Sequence, residues 1–87
     1  MRFRIVSVDK FPLGTRVLRT GDKGDDVRNL QELLGRSGFY NGKNDGIFGP
    51  LTKEAVQLLQ LIFKLRPDGI AGKELISVLK NPRLRTG

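Results

Sequence analysis

The 87-residue sequence contains no cysteine and no histidine. Without cysteine there is no disulfide frame and no thiolate metal site, and nothing follows about redox compartment. With both residues missing, thiol proteases, serine–histidine hydrolases and metal centres built on imidazole or thiolate are excluded. Long apolar runs are absent too, since no window approaches the roughly 18 residues of a membrane span. The opening MRFRIVSV alternates charge with apolar residues, and its apolar run is too short for a signal peptide. A domain of this kind acting outside a cell would take its export signal from a longer parent chain.

What remains is enough for one domain with a modest core. Hydrophobic residues make up 38% and charged residues 29%, a globular rather than a disordered balance. The net charge of +7 is confined to the ends: residues 1–20 carry +4 and residues 80–87 carry +3, while 21–79 balance eight bases against eight acids. Such ends serve either solubility or attraction to a polyanion. The expected division is a basic N-terminal strand or arm with linker over 1–16, a helical domain over 17–80, and a basic tail over 81–87.

RFRIVSV, residues 2–8, has the period of two and the β-branching of a strand or extended arm. KFPLGT then reads as a turn. From Gly24 the pattern is helical, with Val27, Leu30, Leu33 and Leu34 on one face and Asp25 and Asp26 at the positive end of the dipole. Gly38 is the expected left-handed cap. A second helix starts after Gly49, because Pro50 suits a first helical position. Its expected stripe is Ala55, Val56, Leu59, Ile62 and Phe63, ended by Pro67. A third follows Gly72, with Leu75, Ile76 and Leu79 inward and Pro82 as its stop. The expectation is a mainly α, compact three-helix bundle.

One stretch occurs twice. DGIFGPLT at 45–52 returns as DGIAGKEL at 68–75. Each copy reads as a turn that ends in a helix start. Gly46 and Gly69 take positive φ cheaply, and Asp45 and Asp68 accept hydrogen bonds from loop amides. Ile47 and Ile70 are expected as core anchors, with Gly49 and Gly72 as N-caps; Gly24 before Asp25 is a looser third copy.

In this order and spacing the residues resemble the small helical peptidoglycan-binding domain of bacterial cell-wall enzymes. The resemblance covers residues 17–79. Leu18, Arg19, Gly21, Gly24, Val27, Leu30, Gln31 and Leu34 match its opening and first helix. Gly38, Phe39 and Tyr40 match the next loop, and Asp45, Gly46, Phe48, Gly49, Thr52, Ala55, Val56 and Gln60 match the central motif. Asp68, Gly69, Ile70 and Gly72 match the last. Three places depart: Leu59 stands for the usual phenylalanine, Leu61–Lys64 for a polar segment closing on glycine, and Leu75 and Ile76 for threonine and tryptophan. The run LLQLIFKL is apolar on most sides and calls for burial on most sides. The N-terminal strand is expected to cover it, the alternative being contact with another domain.

The resemblance implies non-catalytic binding of peptidoglycan, with anionic wall polymers as further partners and a catalytic domain in a longer parent chain. It implies a cell-wall or extracellular location, a monomer, and no cofactor. Such a ligand presents sugars, amides and carboxylates, which call for an aromatic surface, amide or hydroxyl groups and a base. The candidates are Tyr40, Asn41, Asn44, Asp45 and Thr52, with Arg66 nearby. Gln31 and Gln60 are either partners across a polar seam or ligand contacts. Each candidate has a structural alternative: Tyr40 as a half-buried loop residue, Thr52 bonding within the first helical turn, Arg66 as a solvated charge. Asp45 and Asp68 are read first as loop organisers, and Phe48 as core.

A glycosidase needs two carboxylates across a cleft, but Glu32, Glu54 and Glu74 fall on polar faces of short helices, so catalysis is not expected. Nucleic-acid binding would work through the tails and depend steeply on salt, as no helix carries a basic stripe. A protein-interaction or prodomain-like module using LLQLIFKL is the remaining alternative.

Overall fold

The computed structural model describes residues 13–80. It contains α1 (Asp25–Arg36), α2 (Pro50–Ile62) and α3 (Lys73–Lys80), each packed on the other two. The three-helix bundle expected from the sequence is therefore present. The expected cover of LLQLIFKL by RFRIVSV, and the stop at Pro82, lie outside the described residues.

The helices meet around Leu18, Val27, Leu30, Leu34, Phe48, Val56, Leu59 and Leu79, all at 0–1% exposure. Each such side chain contributes about 1.5–3 kcal/mol by leaving water. Leu13 joins this core, and Lys80 Nζ donates to its carbonyl at 3.0 Å. Helix starts follow one rule: the carbonyls of Gly24, Gly49 and Gly72 accept the first i→i+4 bonds, from Arg28, Lys53 and Ile76.

The segment before α1 threads between the two DGI loops. Leu18 and Ala71 exchange both backbone bonds, at 3.0 and 2.8 Å. Four residues on, the Phe48 N–H donates to the Asp22 carbonyl and the Gly24 N–H to the Gly46 carbonyl. These are isolated antiparallel bridges, and they tie both loops to one backbone. Arg16 clamps the same region. Its Nε donates to Asp26 Oδ2 at 2.7 Å and its Nη2 to the Lys23 carbonyl at 2.8 Å, with Asp26 only 1% exposed. The Asp26 hydrogen bond holds the Arg16 guanidinium above its ordinary pKa.

Three expectations require correction. First, α2 ends at Ile62, not at Pro67. The chain leaves it through a left-handed Lys64 (φ 60°), which lets the Leu65 N–H reach the Gln60 carbonyl at 2.7 Å and turns Leu65 back against the core. The same closure ends α1, where Gly38 (φ 86°) is the left-handed residue and the Phe39 N–H bonds the Leu34 carbonyl. Second, the inward face of α2 is Thr52, Ala55, Val56, Leu59 and Gln60, so Ile62 and Phe63 stay outside, at 52% and 37% exposure. Third, Ile47 is not a core anchor. It is 47% exposed, while the next residue, Phe48, is at 1%. The loop is extended there, so neighbouring side chains alternate; with the Ile47 backbone bound inward, Phe48 takes the core side. In the second copy the inward residue is Ala71, and Ile70 is half-buried.

Candidate functional site

Each DGI loop is held by one glutamine. Gln31 Oε1 accepts from the Gly46 N–H at 2.9 Å. Its Nε2 lies within hydrogen-bond distance of Asp45 Oδ1 (3.1 Å), the Ile47 carbonyl (2.9 Å) and Thr52 Oγ1 (3.0 Å). Gln60 repeats the arrangement: Oε1 accepts from Gly69 N–H at 3.0 Å, and Nε2 donates to Asp68 Oδ1 and the Ile70 carbonyl. Only the threonine contact has no counterpart, because Leu75 stands where the first copy has Thr52.

The aspartates complete each loop. Asp45 Oδ1 accepts from the Ile47 N–H, and Asp68 Oδ1 from the Ile70 N–H, both at 3.0 Å. These backbone donors, followed by the glutamine amides, hold both carboxyls below the ordinary aspartate pKa. The glycine after each aspartate sits at positive φ, 77° and 75°, where a side chain would be strained.

The first loop forms one wall of a surface trough centred on Tyr40. A groove of about 490 Å³ lies on one side, lined by Gly42, Lys43, Asp45, Ile47 and Pro50. A second, of about 300 Å³, is lined by Phe39, Asn41, Glu54, Ala55 and Leu58. Tyr40 and Leu51 border both, so the grooves adjoin. The Tyr40 hydroxyl donates to the Lys43 carbonyl. Its ring edge lies so close to Gly42 that a Cβ there would come within 2.7 Å of Oη. The ring is thus held at its hydroxyl end and is half-buried.

Such a trough offers an aromatic platform with aliphatic walls, an amide at Asn41, and a cation at Lys43. That composition suits a ligand with apolar faces and hydrogen-bonding edges.

The structure brings together Tyr40, Asn41 and Asp45 among the candidates. Asn44 is exposed but lines neither groove. Gln31, Thr52 and Gln60 are turned inward, at 0%, 1% and 4% exposure, and hold loops instead of presenting themselves to a ligand. Nor do the glutamines face one another across a seam; each serves its own loop. Arg66 lies away from Tyr40, in a separate groove beside the second loop. The trough's apolar walls, Ile47, Leu51 and Leu58, were missed. Leu51 and Leu58 sit one heptad apart and off the inward stripe of α2, a signal that was available.

Residues 23–79 match a family model described as "Putative peptidoglycan binding domain". A spore cortex-lytic enzyme of Halalkalibacterium halodurans is 43% identical over 65 residues, covering 75% of this chain and 20% of that protein. The N-acetylmuramoyl-L-alanine amidase CwlM of Mycobacterium tuberculosis is 45% identical over 56 residues, 64% of this chain and 14% of that one. The chain thus corresponds to about a fifth or less of the length of these relatives. A crystal structure of the SleB N-terminal domain superposes with a TM-score of 0.74 at 40% identity, covering 78% of this chain and 93% of that one. The chain belongs to the peptidoglycan-binding domain family.

Proposed function

We propose that the domain is a non-catalytic module that binds peptidoglycan through the Tyr40 trough and holds an attached cell-wall enzyme near its substrate. The observation that carries this reading is the pair of adjoining grooves around a half-buried tyrosine whose hydroxyl is held by the Lys43 carbonyl. Sugar rings stack on Tyr40, the Ile47, Leu51 and Leu58 walls exclude water, and Asn41 and Lys43 hydrogen-bond the acetamido and hydroxyl oxygens of the sugars. The relatives support an attached catalytic domain, being lytic enzymes and amidases several times longer than this chain. The basic ends add a salt-sensitive attraction to anionic polymers at the cell wall.

The test is sedimentation of the 87-residue chain with insoluble sacculi stripped of wall polymers, at about 50 and 500 mM salt. Those conditions shorten the Debye length from roughly 14 Å to roughly 4 Å. Retention at the higher salt, lost in a folded Tyr40→Ala variant, is the expected result. No retention at either salt would transfer the function to protein contact through the face carrying Leu58, Leu61 and Ile62. These residues are 46–60% exposed among the described residues.

A further inference from the structure

The second DGI loop has a groove of its own, of about 320 Å³. Its walls include Val17, Leu65, Arg66, Ile70, Lys73 and Glu74. We propose that this groove is a second binding subsite, which takes the ionised stem peptide of the same wall polymer. The proposal rests on the wall-binding reading and deepens it.

The argument starts from the repeat. The two loops share a backbone frame, because Asp45 corresponds to Asp68, Ile47 to Ile70 and Gly49 to Gly72, and each frame is held by its glutamine. What differs is the chemistry mounted on that frame. Where the first copy places Pro50 and Leu51 in its groove, the second places Lys73 and Glu74. Tyr40 has no counterpart in the second groove, which has Arg66 instead.

These charges are available. The Arg66, Lys73 and Glu74 side chains are exposed and form no side-chain hydrogen bond among the described residues, although the Arg66 charge also acts on Asp68. Asp68 also lines the groove, but its Oδ1 is already committed to Gln60 and the Ile70 N–H. Two exposed cations and the exposed Glu74 carboxylate around Val17, Leu65 and Ile70 match a peptide with small apolar side chains, carboxylates and an ammonium group. A neutral sugar offers these side chains no ionic partner. A groove near 300 Å³ accommodates about two residues of such a peptide.

The experiment titrates the ¹⁵N-labelled 87-residue chain with acetylated Ala-γ-D-Glu-Lys, with the same tripeptide amidated at both carboxylates, and with inorganic phosphate. The free tripeptide is expected to shift the amides of Ile70, Gly72 and Lys73 while those of Tyr40 and Leu51 stay in place. Amidation weakens binding at least about fivefold, as do Arg66→Gln and Lys73→Gln combined, the scale of one or two exposed ion pairs. Shifts confined to the Tyr40 trough, equal binding of the amidated peptide, equal shifts from phosphate, or no shift at about 10 mM peptide would each overturn the proposal.

The sacculus assay separates this failure from that of the wall reading. Retention that depends on Tyr40, with the second loop silent to tripeptide, leaves wall binding intact and removes only the second subsite. Absence of retention together with a silent second loop removes both.

Discussion

Replacing Gln31 with leucine keeps the volume and removes every polar contact the side chain makes. The Gly46 N–H would then be buried without an acceptor, and the Ile47 carbonyl and Thr52 hydroxyl would each lose a donor. A buried polar group left unpaired costs about 1–3 kcal/mol. With the Gly46 amide fully buried and the others able to relax in part, the total comes to about 2–4 kcal/mol. For a domain of this size that lowers the melting temperature by roughly 10–25 °C. Gln60→Leu should cost less, about 1–3 kcal/mol, since its amide has no threonine partner and retains slight solvent contact.

Thermal melts followed by circular dichroism measure both variants. Gln31→Glu is the sharper arm, because it places an acceptor against Asp45 Oδ1 and the Ile47 carbonyl with almost no change in shape. It should melt below Gln31→Leu at neutral pH and recover ground as the pH falls. A Gln31→Leu protein melting within about 3 °C of the parent, or a Gln60 variant that is the more damaged of the two, would refute the idea that the glutamines hold these loops.

Lys64 occupies a left-handed position that favours glycine, so Lys64→Gly should stabilise by about 1 kcal/mol and raise the melting temperature by about 4–8 °C. Asp45 and Asp68 have carboxyl pKa values lowered by folding, so their contribution is full above the unfolded value near 3.8 and is lost as pH falls through the folded values. Acid titration should therefore show stability declining below about pH 4, with a shallower decline in Asp45→Asn. Gly42→Ala drives a methyl into the Tyr40 hydroxyl; sacculus retention should fall while the melting temperature moves by less than about 3 °C.

The bundle was legible because its signals are local. Pro50 after Gly49, acidic residues after Gly24, and leucines three and four apart act within a turn or two of helix, and each of those helix starts stands where expected. The end of α2 was misread because Pro67 is a strong local terminator, whereas the actual exit uses a lysine in a conformation for which its own propensity gives no hint. Folding Leu65 back to the core supplies the energy that lysine lacks locally, and that gain belongs to tertiary packing.

The loops show the same limit more sharply. The repeat of Asp, Gly and Ile is visible by eye, and the aspartate's turn follows from hydrogen bonding over two residues. The matched glutamines were noticed, but their role was not. Gln31 precedes Asp45 by 14 residues, while Gln60 precedes Asp68 by 8. Unequal spacing along the chain concealed an equal geometry, because Gln31 reaches its loop from mid-helix in α1 and Gln60 from the last turn of α2. What the two copies share is therefore a side-chain amide satisfying a turn. The residues free to vary around that turn, Pro50 and Leu51 against Lys73 and Glu74, are where differences in binding chemistry can arise without disturbing the fold.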